Sequence, residues 1–343
     1  MRLPLKTSMS LSPGKRTRLE QVSNNEGVIA ALAIDQRSAL RGLLAQAKGV
    51  APDEIPGRML EEFKAGVSRV LTPHASAILL DPEYGLPAAR QRANGSGLLL
   101  AYEQTGYDKG VAGRLPRLLD EWSARRLVAA GADGIKVLLY YSPFSANAIN
   151  DVKQAWVERV GAECEALDVP FFLELVVYHD EMDEKSLEFA RIKPETVVSS
   201  LSEFSNPRYG VDIFKVGFAV NMAFVGEGKG DVAYTREEAK GHLRRAAAAA
   251  RKPFIYLSEG VRNQVFADAL ELAAEARVRY SGVLCGRATW KDGVEIYAKG
   301  GAAALEDWLA SVGAENIRRV NEQLRAATSW RDVYGKAATE LAR

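Results

Sequence analysis

Val211-Asp212-Ile213-Phe214-Lys215-Val216-Gly217-Phe218 is an apolar run with a lysine near its centre. Its length and its content of Val, Ile and Phe read as a strand buried on both faces of a parallel sheet. Lysine is almost never fully buried unless something pairs with it or uses it. Two other runs share the anomaly. Gly134-Ile135-Lys136-Val137-Leu138-Leu139-Tyr140-Tyr141 carries a second lysine, and Pro170 to His179 carries Glu174 within Phe171-Phe172-Leu173-Glu174-Leu175-Val176-Val177. A lysine in a dry, cation-rich pocket can serve as an amine nucleophile and form a Schiff base. Two lysines and a glutamate in three successive strands therefore point to an imine-forming enzyme.

Five further runs have the same character: Gly27 to Asp35, Ala75 to Asp81, Gly97 to Glu103, Pro253 to Glu259 and Tyr280 to Arg287. Segments of helical character lie between most of them. Phe266, Leu270 and Ala273 recur at spacings of four and three within 262–276, and 236–250 is rich in alanine. Gly131 suits a helix C-cap, and Pro170 and Pro253 precede strands, where a missing N–H costs little. Eight strands alternating with helices predict an α/β chain folded as a single (β/α)8 barrel. A doubly wound sheet is the alternative, but Ile34-Asp35-Gln36-Arg37 lacks the glycine-rich phosphate loop expected after its first strand. Residues 1–26 read as an N-terminal extension and 27–343 as the barrel domain, with one or two added helices in 301–343.

The 343 residues carry a net charge of +1 and are 47% hydrophobic, enough for a large core. Neither charge nor aromatic spacing suggests nucleic acid or a membrane surface as partner. No apolar run approaches the roughly 18–20 residues of a bilayer span. The basic N-terminus is interrupted by Leu11-Ser12-Pro13-Gly14-Lys15-Arg16, so no signal peptide is read, and the cytoplasm is the expected compartment. Cys164 and Cys285 form no metal or disulfide pattern, and His74, His179 and His242 have no ligand spacing, so neither a metal nor a cofactor is expected.

In a (β/α)8 enzyme the reacting side chains come from the C-terminal ends of several strands. Here those ends supply Asp35, Asp81 with Glu83, Glu103, Lys136, Glu174, Lys215, Ser258, and Gly286 with Arg287. Helix capping is the alternative role of Asp35, and turn chemistry that of Asp81 before Pro82. So many ionic groups at one mouth would be costly to bury unpaired. The seventh and eighth loops read Leu257-Ser258-Glu259-Gly260-Val261 and Cys285-Gly286-Arg287-Ala288-Thr289. Glycines there let backbone amides approach an anion, Ser258 adds a hydroxyl and Arg287 a bidentate fork, at the two loops where such barrels often hold phosphate.

With these residues in place, the chain resembles the tagatose-1,6-bisphosphate aldolase family, Schiff-base (class I) aldolases of (β/α)8 fold. The matching segments include Ala33-Ile34-Asp35-Gln36-Arg37, Leu79-Leu80-Asp81-Pro82-Glu83-Tyr84-Gly85-Leu86-Pro87, Lys136-Val137-Leu138-Leu139-Tyr140-Tyr141, Asp212-Ile213-Phe214-Lys215-Val216 and Gly282 to Trp290, in order from about residue 24 to 330. The resemblance implies Lys215 as Schiff-base lysine, Glu174 as proton-transfer carboxylate, and Lys136 and Asp35 as neighbours in one charged cluster. It places Arg37, Ser258, Gly260, Gly286 and Arg287 on the substrate side. It implies cleavage of a ketose 1,6-bisphosphate, tagatose 1,6-bisphosphate or its C4 epimer, to dihydroxyacetone phosphate and glyceraldehyde 3-phosphate. A small-molecule sugar phosphate is then the expected partner, and a homo-oligomer is allowed. Another phosphorylated ketose, such as a sulfo-sugar phosphate or a ketose 1-phosphate, and a sugar-phosphate sensor on the same scaffold stay open.

Two positions depart from the family. A carboxylate usual two residues after the Schiff-base lysine is replaced by Gly217, which is expected to open space and remove a charge. An alanine usual between the serine and glycine of the seventh loop is replaced by Glu259, a carboxylate expected to repel phosphate unless it turns away or pairs with a cation.

Overall fold

The computed structural model describes residues 11–108, 110–227 and 231–340. Eight parallel strands close into a barrel in sequence order: β1 Ile29–Ala33, β2 Ala77–Leu80, β3 Gly97–Ala101, β4 Gly134–Tyr141, β5 Phe171–Val177, β6 Ile213–Val216, β7 Phe254–Leu257 and β8 Gly282–Cys285. Each lies within one of the eight apolar runs, and β1 pairs with β8 to complete the ring.

The alternation of side chains along a strand decides what enters the barrel. Ile29, Ala31 and Ala33 of β1, Ala77 and Leu79, Leu99 and Ala101, Phe172, Ile213, Ile255 and Leu284 form one buried cluster inside the ring. Gly134 has no side chain because a Cβ there would meet Leu99 Cδ2 and Phe172 Cε2, the latter at 2.8 Å. Two residues beyond these inward positions come Asp35, Glu103, Lys136, Glu174 and Lys215. Period two therefore stacks an ionic layer on the apolar one at the C-terminal end of the strands. The outward faces of the strands pack against the helices in a second, larger cluster.

The opposite end of the barrel is closed by helices from both ends of the chain. Leu19 and Val22, from and just after the helix Pro13–Gln21, and Trp330 of the helix Trp330–Glu340 are fully buried against the interior cluster. Lys15 bonds Asp212 at 2.6 Å, Asp212 also accepts from the Phe171 N–H at 2.8 Å, and the Tyr334 hydroxyl donates to the Asp212 carbonyl at 2.7 Å. Of the segment read as an extension, residues 1–10 lie outside the described residues, and 11–22 pack on the barrel floor.

The expected helices occur at Arg236–Ala249 and Asn263–Glu275. The C-terminal region holds more helix than expected: Gly293–Trp308 runs through position 301, where Gly301 at φ 73° breaks its regularity, and Ala314–Gln323 and Trp330–Glu340 follow. Among the described residues, no helix is long and apolar enough to cross a membrane.

Candidate active site

The register that builds the barrel also brings the ionic side chains together. Glu174 is paired with Lys215 across β5 and β6, and with Leu138 across β4 and β5, so that Lys136 stands two positions before its partner and on the same face. Glu174 Oε2 lies 2.8 Å from Lys215 Nζ and 2.7 Å from Lys136 Nζ, so one carboxylate oxygen serves both amines. Lys136 Nζ also bonds Asp35 Oδ2 at 2.8 Å and Glu103 Oε1 at 2.6 Å. Lys136 is 1% exposed and Lys215 4%. The four residues expected at the reacting centre, Lys215, Glu174, Lys136 and Asp35, thus form one hydrogen-bonded cluster. Glu103 joins it, although its strand-end position suggested no particular role.

Burial opposes the ammonium form of Lys136, but Asp35, Glu103 and Glu174 outweigh it and hold that lysine well above its ordinary range. Burial pushes Glu174 up, yet Lys136 and Lys215 bring it below its usual value, so it stands ready as a carboxylate. Glu103 goes the other way: burial raises it more than Lys136 and Arg37 lower it. Asp35 is pushed up by burial and pulled down further by Lys136, Lys215 and Arg37, ending below 3.8. A depressed carboxylate adds stability that is present above its unfolded value and is lost as pH falls through the folded one. Denaturant titrations of Asp35→Asn should therefore lose less stability than the parent between about pH 4 and about pH 2. Equal losses would contradict this.

The cluster opens into a cavity of ≈ 570 Å³ at the strand C-termini, walled in part by Asp35, Arg37, Glu103, Lys136, Glu174 and Arg287. That volume suits a small phosphorylated metabolite. The Lys215 amine touches the wall residue Glu174. Four buried polar atoms on wall residues have no hydrogen-bond partner among the described residues: Asp35 Oδ1, Gln36 Oε1, Glu103 Oε2 and Arg37 Nε. Unpartnered buried polar atoms are expensive, so their concentration here marks a surface built for a polar ligand.

Arg37 is held at 2.6 Å by Glu83 and at 2.8 Å by the Glu103 carbonyl, which fixes its guanidinium beside Asp35. Arg287 reaches the cavity, and Gly260, at φ 75°, admits its guanidinium: a Cβ there would lie 2.5 Å from Cζ. Gly286 caps the short helix Arg287–Trp290, and a Cβ on it would lie 3.0 Å from the Ala33 carbonyl. Ser258 is buried beside the Cys285 thiol, and neither Ser258, Gly260 nor Gly286 lines the cavity. Asp81 is absorbed by structure: it pairs with Lys64 and accepts from the Tyr84 N–H at 2.7 Å, while Lys64 also reaches the Ile34 carbonyl at 2.9 Å.

The two departures from the family occupy the same place. The Glu259 carboxylate fills the space left by Gly217, where a Cβ would lie 2.5 Å from its Cδ, and both its oxygens lie 3.1 Å from Lys193 Nζ. The expectation of open, uncharged space at Gly217 is therefore corrected: a carboxylate reaches it from the next loop. The expectation of repulsion at Glu259 meets its stated exception, a pairing cation. Lys193 carries no signal in the sequence, because a lysine on a helix is ordinarily solvated. Arg114 was likewise unmarked; it stacks over Tyr107, Tyr140 and Tyr178 at 5.1, 5.6 and 4.2 Å and bonds Glu184 at 2.6 Å along the same wall.

The family model described as DeoC/LacD family aldolase matches residues 29–292. A tagatose 1,6-diphosphate aldolase of Listeria innocua is 48% identical over 330 residues, 95% of this chain and 96% of the relative. One from Staphylococcus aureus is 48% identical over 326 residues, 94% and 99% of the two chains. Among solved structures, a fructose-bisphosphate aldolase from Plasmodium falciparum superposes with a TM-score of 0.64 at 14% identity, covering 95% of this chain and 97% of that one. A Schiff-base-forming fructose-1,6-bisphosphate aldolase gives 0.53 at 13%, covering 86% and 98%. At such identities the two structures speak for the barrel fold alone.

Proposed function

The chain belongs to the DeoC/LacD family of aldolases, and from that premise we propose that it cleaves tagatose 1,6-bisphosphate through an imine on Lys215. The curated relatives named for that substrate support the choice of sugar. The single observation that carries the chemistry is the shared carboxylate oxygen: Glu174 Oε2 touches the Lys215 amine at 2.8 Å and Lys136 at 2.7 Å. A buried amine with a proton acceptor in contact, held by a second cation, is the equipment of covalent amine catalysis.

Lys215 passes a proton to Glu174 and its neutral amine attacks C2 of the ketose. Glu174 returns that proton to the C2 hydroxyl of the carbinolamine, which leaves as water; a protonated imine, the electron sink, and a free Glu174 carboxylate remain. The C3–C4 bond then breaks: its electrons move toward the iminium to give an enamine, and the C4 hydroxyl proton passes to Glu174. Glyceraldehyde 3-phosphate leaves. Glu174 delivers that proton to C3 and restores the iminium, and water then releases dihydroxyacetone phosphate and the free lysine. Lys136 stays charged throughout and fixes the carboxylate between the reacting atoms. Asp35 Oδ1, Gln36 Oε1 and Glu103 Oε2 are the acceptors available to sugar hydroxyls, and Arg287 takes a phosphate.

Glu174→Gln keeps the shape and removes the base. Its kcat should fall by about 10²- to 10⁴-fold, the usual contribution of a positioned acid–base group, with KM little changed. A kcat within a few-fold of the parent would assign the proton transfers elsewhere. The substrate itself is tested by assaying the C4 epimers, tagatose and fructose 1,6-bisphosphate, beside a ketose 1-phosphate. Preference for the 1-phosphate would overturn the bisphosphate reading.

A further inference from the structure

Glu259 lines the cavity together with two cations, Lys193 and Arg287. Lys193, from the helix Leu187–Phe204, is 7% exposed and holds both carboxylate oxygens at 3.1 Å. Arg287 stands against the adjoining Gly260. The backbone sets the choice between them. Glu259 and Gly260 lie at φ 46° and 75°, and Val261 N–H closes the turn onto the Ser258 carbonyl at 3.0 Å. Two successive residues in the left-handed region suit glycine or asparagine far better than glutamate. Such a conformation persists only where its surroundings impose it. Gly217 is part of that imposition: Oε2 of Glu259 lies 2.9 Å from where a Cβ on Gly217 would stand.

We propose that Lys193 and Gly217 form a latch that stows the Glu259 carboxylate away from the anion-binding end of the cavity, making Lys193 a positioning residue for substrate phosphate. This rests on the reading above that a substrate phosphate lies against Arg287. Once released from Lys193, Glu259 can turn to Arg287, which stands against the adjoining Gly260. Pairing there neutralises the guanidinium and brings a negative charge toward a dianion. Both effects weaken phosphate binding, and neither touches the Lys215 amine.

The test is a set of kinetic and inhibition measurements on Lys193→Met, Gly217→Ala, Glu259→Ala and the doubles Lys193→Met/Glu259→Ala and Gly217→Ala/Glu259→Ala, with inorganic phosphate as the probe. Each single change at Lys193 or Gly217 should raise both KM for the bisphosphate and Ki for phosphate about tenfold, the scale of one like charge a few ångströms from an anion. The kcat should stay within about threefold, and removing Glu259 should restore both constants in each double. Doubles as impaired as the singles, singles without effect, or a parent enzyme indifferent to phosphate would each overturn the latch. Borohydride trapping on Lys215 is run beside every assay. Failure of the parent to trap would strike the imine reading, whereas trapping without rescue strikes only the latch. Gly217→Ala repeats the logic without altering any charged residue, so a folding defect in Lys193→Met leaves the question decided.

Discussion

Lys215→Ala should retain the barrel and lose turnover, with kcat/KM falling by at least about 10⁴-fold, the order seen when a covalent nucleophile is removed from a catalytic group acting as a unit. The fold should survive because the substitution removes one charge from a cluster that keeps its main cation, Lys136, in contact with Asp35, Glu103 and Glu174. What disappears is the only amine paired to Glu174 on β6, and with it the electron sink. The loss should be in kcat, since the substitution leaves the wall residues Asp35, Arg37, Glu103 and Arg287 in place to bind the sugar phosphate. Circular dichroism and denaturant unfolding would establish that the variant is folded. A folded variant with more than about a hundredth of parental activity would contradict covalent catalysis at this residue.

The second large effect falls on stability. Lys136→Met leaves three buried carboxylates without the ammonium that all three contact. Breaking a buried pair by removing one partner costs about 3–5 kcal/mol, and here one removal breaks three contacts. The sign of the pH dependence follows. Without Lys136 the buried carboxylates hold their protons more tightly in the folded state, and a group with a raised folded value adds stability on the acid side. The deficit of Lys136→Met should therefore shrink as pH falls from neutrality toward about 4. Denaturant midpoints measured across that range check both the size and the slope. A deficit that is small, or constant with pH, would mean that the three carboxylates find other partners.

The barrel was legible because eight apolar runs recur with helical spacers, and the reacting cluster was legible because ionic residues interrupt three of those runs. Lys136, Glu174 and Lys215 stand out in strands where each neighbour is apolar. Period two then carries Asp35 and Glu103 to the same face, two residues past Ala33 and Ala101. Glu103 stood in that pattern, yet its closeness to Lys136 became visible only once β3 and β4 were paired. Asp81 shows the converse. At a strand end it resembles its catalytic neighbours, but Lys64 reaches it from the helix Gly57–Leu71, and a contact between helix and strand leaves no periodic trace.

The least legible part was the joint meaning of Gly217 and Glu259. Taken one at a time, the first reads as a lost charge and the second as a charge misplaced. Only the packing of the β6 and β7 ends shows that one makes room for the other, with Lys193 holding the carboxylate in place. Residues that compensate across different loops have no common signal along a single chain.

The central claim is that Lys215 forms the imine. Incubation with tagatose 1,6-bisphosphate and borohydride, followed by intact mass and peptide mapping, tests it most directly. The structure predicts one stable adduct of the dihydroxyacetone phosphate or ketose bisphosphate unit, located on Lys215 and absent from Lys215→Ala. Turnover of the same substrate with no adduct, or an adduct on Lys136 or Lys193 in the unaltered protein, would contradict it.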